Sequence, residues 1–217
     1  MAHYKDSLPY LTHDKHLGAF IKNFGPLWFR RKHTKDAFQA LCESIIYQQL
    51  SGKAAGTILK RFVALFPNTK PASPKTSSRG GFPTPEQVLK IKTEKLRTAG
   101  LSGQKASYLK DLARKFKDGT INPKLFRKMS DQEIIDHVVA VKGIGEWTAH
   151  MFLMFTLGRP DVLPVGDLGI QKGFQKLFKL RAKPKPAHME RLARNWAGHR
   201  TLASMYLWRY VDVEASD

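Results

Sequence analysis

One stretch decides the fold: Val139-Ala140-Val141-Lys142-Gly143-Ile144-Gly145-Glu146-Trp147-Thr148-Ala149, followed by Pro164-Val165-Gly166-Asp167. Apolar residues at helical spacing lead into Gly143-Ile144-Gly145 and resume directly after it, so two helices are predicted to meet across a very short turn. Glycine permits unusual backbone angles and leaves the N–H groups of the turn open to a ligand. The second helix directs its positive end to the same place. The stretch therefore predicts a helix-hairpin-helix that can seat a phosphate.

The flanking residues favour this hairpin over a simpler alternative, in which the glycines only end one helix and begin a tight connection to the next. Ser130-Asp131-Gln132-Glu133 is a capping box, which starts a helix where a short hairpin requires one. Lys142 adds a positive charge beside the glycines. We therefore expect the helix-hairpin-helix to occupy residues 131–157.

The charge of the chain indicates the kind of partner. There are 37 Lys and Arg residues against 18 Asp and Glu residues, which gives a formal net charge of +19. A polyanion is the expected partner. No apolar stretch approaches the roughly 20 residues that span a bilayer, and the start of the chain has no signal-peptide pattern. We expect an intracellular chain without a secretion signal or a membrane partner.

The cysteine count excludes several kinds of site. The chain has one cysteine, Cys42, so it has no internal disulfide and cannot hold a four-thiolate iron–sulfur cluster. Cys42 lies on an apolar helical face and is expected to be a small core residue. No cluster of His and Cys residues has metal-ligand spacing, so no catalytic metal is expected.

Helical periodicity dominates the rest of the chain and no strand pattern is found, so the fold class is all-α. The main predicted helices include one around residues 38–49, one over 58–66, one that begins at a Thr84-Pro85-Glu86-Gln87 cap, one over 106–116, one over 168–178 and one over 189–210 that is broken near Gly198. Residues 68–82 are rich in Pro, Ser, Thr, Gly and Lys without periodicity and indicate a flexible insertion. This insertion is either a solvated loop or a source of transient phosphate contacts.

Four segments together resemble the HhH-GPD DNA glycosylase superfamily, and within it the alkylpurine (3-methyladenine) DNA glycosylase II branch. The segments are Ile45-Ile46-Tyr47-Gln48-Gln49-Leu50-Ser51, Leu96-Arg97-Thr98-Ala99-Gly100-Leu101-Ser102 with Lys105-Ala106, the hairpin with its aspartate loop, and Trp196-Ala197-Gly198-His199-Arg200. The similarity covers roughly residues 8–210. It implies a single unit over 1–217 with two helical lobes and a cleft between them. Residues 33–130 would form approximately one lobe, and the N-terminal residues with 131–217 the other.

The resemblance implies a monofunctional DNA glycosylase of base excision repair. Such an enzyme flips alkylated purines, of the 3-methyladenine and 7-methylguanine type, out of duplex DNA and hydrolyses the N-glycosidic bond. The resemblance points to Asp167 as the catalytic residue. A fixed carboxylate stabilises the oxocarbenium character of the transition state and orients or deprotonates the attacking water. An Asp before an apolar-periodic helix is also a typical N-cap, and both roles can coexist because a helix N-terminus favours a negative charge.

Trp147 bears on both the reaction and the pocket. It stands where relatives that also cut the DNA backbone carry a Schiff-base lysine, so we predict no AP lyase activity. Trp147 is either a core residue of the second hairpin helix or, as the resemblance implies, an aromatic wall of the base pocket. An aromatic face suits a cationic alkylated purine.

The resemblance also assigns further pocket and wedge residues. Base-pocket positions are occupied by Met151, Leu168, His199 and Tyr47 beside Trp147, and aromatic residues are expected at the first three in this branch. His199 is alternatively a helix-breaking or surface residue. The wedge that fills the gap left by the flipped nucleotide falls to Leu50, flanked by Gln49 and Ser51, although Leu50 could equally be a core residue that ends a helix.

The remaining expectations concern phosphates, ions and competing functions. Duplex DNA phosphates are expected at Gly143, Gly145, Lys142, Thr148, Gly103 and Lys105, which would make the affinity fall steeply with salt. The resemblance implies a structural Na⁺ or K⁺ on the backbone carbonyls of Val139, Val141 and Ile144, and no catalytic cofactor. We expect a monomer, nuclear in a eukaryote and otherwise cytoplasmic. The competing readings are a non-catalytic duplex or lesion-binding protein and a glycosylase-lyase that uses another amine.

Overall fold

A computed structural model describes residues 7–27, 36–67 and 81–214. Within these ranges the chain forms twelve α-helices and no strand, which confirms the all-α prediction. The helices are α1 (Ser7–Thr12), α2 (Leu17–Phe24), α3 (Ala37–Tyr47), α4 (Gly52–Ala64), α5 (Pro85–Lys90), α6 (Thr93–Thr98), α7 (Gly103–Lys117), α8 (Asp131–Val139), α9 (Glu146–Phe152), α10 (Leu168–Leu177), α11 (Pro186–Leu192) and α12 (Arg200–Glu214). No helix in the described ranges is long and apolar enough to cross a membrane.

The chain divides into two compact units. We call residues 34–152 the hairpin unit, and residues 1–33 with 153–217 the carboxylate unit. The hairpin therefore groups with the residues before it, whereas the sequence suggested a boundary near residue 130. The reason lies in the contacts of its turn: the Gln48 side chain and the Asp111 side chain, both in the hairpin unit, bind the turn backbone.

The core of the hairpin unit is built around α3 and α7. The predicted apolar face of α3 is buried, and Cys42 is fully buried within it, as expected for a core residue. Burial raises the pKa of the Cys42 thiol well above its ordinary value. Both predicted capping boxes are present, at Ser130 with Glu133 and at Thr84 with Gln87. These caps fix where α8 and α5 begin.

The predicted insertion falls mostly outside the described residues, which resume at residue 81. Its last residue, Phe82, packs its ring against Phe38 of α3 and Phe62 of α4, with centroid distances of 6.2 and 5.8 Å. Phe82 therefore belongs to the aromatic packing of the hairpin unit rather than to a solvated loop.

The carboxylate unit packs α10 and the N-terminal helices against α12. α12 is preceded by α11, a 3₁₀ turn (Ala193–Trp196) and Gly198, whose φ is +83°. The predicted break near Gly198 is thus confirmed. Trp196 is fully buried and its ring lies 5.3 Å from that of Phe174 on α10. This aromatic contact holds the chain before α12 against α10.

Candidate functional site

The predicted hairpin is formed by α8, a turn over residues 140–145, and α9, which is followed by a π-helical turn (Leu153–Leu157). Together these elements cover the expected range 131–157. Gly143 has a φ of +81°, which favours glycine, whereas the φ of Gly145 lies outside the left-handed region. A Cβ on Gly145 would meet nothing within 4 Å. Gly143 therefore serves the turn conformation, and Gly145 leaves open space in front of the turn.

Side chains from elsewhere in the hairpin unit hold the backbone of this turn. Asp111 of α7 accepts a hydrogen bond from the Lys142 N–H through its Oδ2 at 2.9 Å. Gln48 donates from its Nε2 to the Gly143 carbonyl at 2.8 Å. The ring of Tyr108 packs so closely against Gly143 that any Cβ there would overlap it. These three side chains thus fix the backbone of the turn, while Lys142, Gly143 and Gly145 stay exposed.

The residues after the turn separate into exposed and buried positions. Trp147 is 54% exposed, so it is not a core residue, and Met151 lies one helical turn further along the same face of α9 and is half-buried. Thr148 is buried. Its burial leaves little of the side chain accessible for the expected phosphate contact. Burial also lowers the pKa of His150 on this helix.

The loop between α3 and α4, residues 48–51, is the segment for which a DNA wedge is predicted, and we call it the wedge loop. Gln49 has a φ of +56°, a left-handed conformation that is uncommon for a residue with a side chain. Leu50 is 40% exposed and is therefore not a core residue. Ser51 accepts a hydrogen bond from the Ala54 N–H and caps α4. Tyr47, the last residue of α3, is also exposed.

Lys105 differs most from its predicted role. Its Nζ donates to the carbonyls of Ile46 and Gln48, both at 2.7 Å. Burial lowers its pKa below the ordinary lysine value. The ammonium thus donates to the end of α3 and to the wedge loop, which are contacts that the sequence did not predict. Gly103, by contrast, lies exposed at the first position of α7.

Asp167 is the N-cap of α10, as the sequence predicted. Its Oδ1 accepts hydrogen bonds from the Ile170 N–H at 2.8 Å and from the Trp208 indole Nε1 at 2.7 Å. The first hydrogen bond is the local helix cap and was expected. The second comes from α12, 41 residues further along the chain. Sequence reasoning missed Trp208. Two donors on one oxygen fix the orientation of the carboxylate.

Two glycines allow α12 to approach Asp167. Gly169 and Gly173 lie four residues apart on one face of α10. A Cβ on Gly169 would lie 2.7 Å from Trp208 Cδ1 and 3.0 Å from Asp167 Oδ1, and a Cβ on Gly173 would lie 2.9 Å from Leu207 Cβ. The Gly-x-x-x-Gly spacing was the available sequence signal for this close helix contact.

The other predicted residues of the carboxylate unit are distributed over its surface. Leu168, directly after Asp167, is 62% exposed. His199 is half-buried: its Nδ1 lies 2.8 Å from Ser7 Oγ, and its ring lies 4.4 Å from that of Tyr10. Arg200 forms an ion pair with Asp161, with its Nε 3.2 Å from Asp161 Oδ1. His199 is thus held by α1.

The carboxylate unit also contains a cavity of about 730 Å³. Its lining includes none of the predicted site residues and consists of Tyr10, His13, Asp14, Lys15, His16, Phe178, Arg191, Leu192 and Asn195. No group of three or more metal-ligating side chains occurs anywhere in the described part of the chain.

Comparison with known proteins identifies the family. The profile of the HhH-GPD superfamily base excision DNA repair proteins matches residues 42–198, which include the wedge loop, the hairpin and Asp167. The chain is 33% identical over 196 residues to DNA-3-methyladenine glycosylase 1 of Schizosaccharomyces pombe, covering 90% of this chain and 80% of the relative. It is 28% identical over 213 residues to an alkylbase DNA glycosidase-like protein of the same yeast, covering 94% and 95%.

Solved structures show the same relationship. A Schizosaccharomyces pombe 3-methyladenine DNA glycosylase in complex with abasic DNA matches with a TM-score of 0.75 and 31% identity, over 94% of this chain and 96% of that one. A DNA-3-methyladenine glycosidase of Bacillus halodurans matches with a TM-score of 0.80 and 32% identity, over 96% and 89%. This chain therefore belongs to the HhH-GPD superfamily of base excision DNA repair proteins.

Proposed function

We propose that this protein is a monofunctional DNA glycosylase that excises alkylated purines of the 3-methyladenine and 7-methylguanine type from duplex DNA. The observation that carries the proposal is the Asp167 carboxylate, which is fixed by the Ile170 N–H and the Trp208 indole. The relatives' names, DNA-3-methyladenine glycosylase among them, supply the substrate class.

The chemistry needs only a carboxylate and a water molecule. Alkylation at N3 or N7 gives the purine a positive charge, so the base leaves as a neutral molecule when the bond from C1′ to the purine nitrogen breaks. Asp167 stabilises the positive charge that develops on the sugar. Water then adds to C1′ and loses a proton to the carboxylate or to solvent. The DNA strand stays intact at an abasic site.

Recognition of the base rests on exposed apolar side chains. In the hairpin unit, Trp147, with Met151 on the same face of α9, is proposed to stack against the cationic purine, and Tyr47 to contact it as well. In the carboxylate unit, Leu168 and His199 are proposed as contacts of the base. Leu50 of the wedge loop is proposed to fill the space of the flipped nucleotide. Of the seven large hydrophobic residues that are exposed in the described ranges, these proposals use four: Tyr47, Leu50, Trp147 and Leu168. Their exposure leaves these four side chains accessible to DNA.

Binding of the DNA backbone is assigned to the hairpin turn. The N–H groups of Gly143 and Gly145, the Lys142 side chain and the N-terminus of α7 at Gly103 are proposed to contact phosphates of one duplex. The net charge of +19 supports this partner. We propose that the protein acts as a monomer, in the nucleus where the cell has one.

A monovalent cation fits the donor chemistry of the hairpin. The backbone carbonyls of Val139, Val141 and Ile144 are neutral oxygen donors of the kind that hold Na⁺ or K⁺. The Val141 carbonyl already accepts the Ile144 N–H at 3.1 Å, and a second lone pair remains on this oxygen. Such an ion would support the conformation of the turn, and the hydrolysis does not need it.

The test is release of free bases from methylated duplex DNA, resolved by chromatography, by the protein and by its Asp167→Asn variant. We expect the protein to release methylated purines and the variant to bind DNA equally while releasing them about 10²- to 10⁴-fold more slowly. The strand should stay uncut until alkali is added, and borohydride should trap no covalent adduct. Equal DNA binding with no release by either form would instead establish a non-catalytic binding protein, with Asp167 only a helix cap.

A further inference from the structure

We infer that Lys105 and Gln48 are positioning residues for Leu50: they fix the wedge loop between α7 and the turn of the hairpin, and Lys105 does not bind DNA phosphate. This inference rests on the proposed function, because it assigns a role to the loop that would enter the duplex. The contacts that carry it all lie within the hairpin unit.

Lys105 contacts the end of α3. The last carbonyls of a helix have no partner within the helix and must find one elsewhere. Lys105 Nζ donates at 2.7 Å to one of them, the Ile46 carbonyl, and at the same distance to the carbonyl of Gln48, the residue directly after the helix. The second carbonyl already belongs to the wedge loop. One ammonium group therefore joins the end of α3 to the loop that follows it, through hydrogen bonds that its charge strengthens.

The wedge loop contains a residue with a left-handed backbone. Gln49, with its φ of +56°, directly follows the carbonyl that Lys105 binds and directly precedes Leu50. Left-handed backbone at a residue with a side chain persists only where its surroundings enforce it. The Leu50 N–H donates to the Tyr47 carbonyl at 3.3 Å, on the other side of Gln49. Hydrogen bonds on both sides of Gln49 therefore hold this conformation, in which Leu50 is 40% exposed.

The wedge loop is also hydrogen-bonded to the hairpin. Gln48 Nε2 donates to the Gly143 carbonyl at 2.8 Å. The same turn is held by Tyr108 and Asp111 of α7, the helix that also carries Lys105. One helix therefore supports both the turn that would bind phosphate and the loop that would enter the duplex, and Gln48 connects the two directly.

The chain offers a matched control on the same helix. Lys110 Nζ donates to the carbonyls of Leu89 and Ile91, at 3.2 and 2.6 Å, where α5 ends. Lys105 and Lys110 thus make the same kind of contact, but only Lys105 binds the wedge loop. Any general effect of losing a lysine that caps a helix should appear equally in Lys105→Met and Lys110→Met.

The experiment measures single-turnover release of a methylated purine at saturating protein. We expect Lys105→Met to slow release about tenfold from a paired lesion, the loss expected for hydrogen bonds from a charged group, and Lys110→Met to match the parent protein. Lys105→Met should slow release less when the lesion lies opposite a mismatched base, because a mispaired nucleotide is already easier to flip. In a Leu50→Ala background, adding Lys105→Met should cause no further loss, since Lys105 acts through Leu50.

Three results would overturn the inference. The first is that Lys105→Met slows base release equally from paired and mismatched lesions. The second is that the effects of Lys105→Met and Leu50→Ala on release are fully additive. The third is that Lys105→Met lowers the salt slope of DNA binding by about one, which marks a lost phosphate contact. If Lys105→Met does not fold, Gln48→Met removes the link to Gly143 and is read by the same criteria. Base release by the parent protein that is abolished in Asp167→Asn keeps the proposed function standing whichever way this test falls.

Discussion

The turn of the hairpin and the N-terminus of α10 differ in which group is held and which group holds it. In the turn, the backbone is the group offered to a ligand, and side chains of Asp111, Tyr108 and Gln48 hold it in place. At Asp167, a side chain is the group proposed to act, and a backbone N–H with the Trp208 indole holds it. The backbone site can therefore be predicted from one short glycine motif, whereas the fixed carboxylate depends on Trp208, which lies far along the chain.

The glycines of the two regions differ in the same way. Gly143 is needed for its left-handed φ and for the closeness of Tyr108. Gly169 lies within a regular helix and is needed only because it lacks a Cβ, which would meet Trp208 and Asp167. The first glycine shapes a turn, and the second makes room for a hydrogen bond between two helices.

Among variants that keep the Asp167 carboxylate, Gly169→Ala should have the largest effect. The added methyl group must displace Trp208 or the Asp167 carboxylate, and a misplacement on the order of 1 Å can slow a reaction about 100-fold. Single-turnover base release measures this loss. Gly173→Ala is the control, because its methyl group meets Leu207 instead. Both variants should unfold at lower temperature, and an equal loss of release in both would show that helix packing, not the carboxylate, is responsible.

Trp208→Phe should have the next largest effect. It removes the indole N–H while keeping an aromatic ring near Phe155, whose centroid lies 6.2 Å from that of Trp208. A hydrogen bond to a charged group contributes roughly 1.5–3 kcal/mol, so base release should slow about tenfold. DNA affinity should stay the same, and a variant that binds DNA less tightly at an unchanged release rate would place Trp208 outside the carboxylate site.

In the hairpin, substitutions of Gly143 and Gly145 should distinguish the effect of the turn conformation on DNA binding from the effect of the open space in front of the turn. Gly143→Ala forces a side chain into left-handed backbone and against Tyr108, at a cost on the order of 1–3 kcal/mol, so the Kd for duplex DNA should rise about tenfold. Gly145→Ala adds a methyl group in open space, so thermal stability should stay unchanged while the Kd rises less. Fluorescence anisotropy and thermal unfolding provide the two measurements. A stability loss in Gly145→Ala would refute this division of roles.

The smallest expected effect belongs to Lys142. Its side chain is exposed beside the turn, so Lys142→Met should weaken DNA binding modestly and lower the salt slope of the affinity by about one. Titrations at several salt concentrations measure that slope. An unchanged slope would mean that the lysine is only solvated and that the turn binds phosphate through its backbone alone.

Much of the fold was predictable because it is encoded locally. The capping boxes at Ser130 and Thr84 fix helix starts through residues three apart, and both are present in the structure. The break near Gly198 follows from one residue that adopts a φ of +83°. Short-range patterns of this kind depend on neighbours in sequence, so they can be read without knowing the tertiary structure.

What could not be predicted depends on distant contacts. Nothing near Trp208 in sequence indicates that its indole reaches Asp167. Lys105, one of many lysines in a basic chain, could not be distinguished from a solvated charge until the carbonyls of Ile46 and Gln48 were seen beside it. Phe82 followed a polar, aperiodic stretch, and only its ring contacts with Phe38 and Phe62 show that it packs against α3 and α4.

The complete burial of Cys42 has a practical consequence. The chain contains no other cysteine, and a thiol enclosed by apolar side chains with a raised pKa reacts poorly with labelling reagents. A cysteine introduced at position 50 would therefore be the one reactive thiol on the surface. A single fluorophore or spin label could then follow the tip of the wedge loop as DNA binds, without any background substitution.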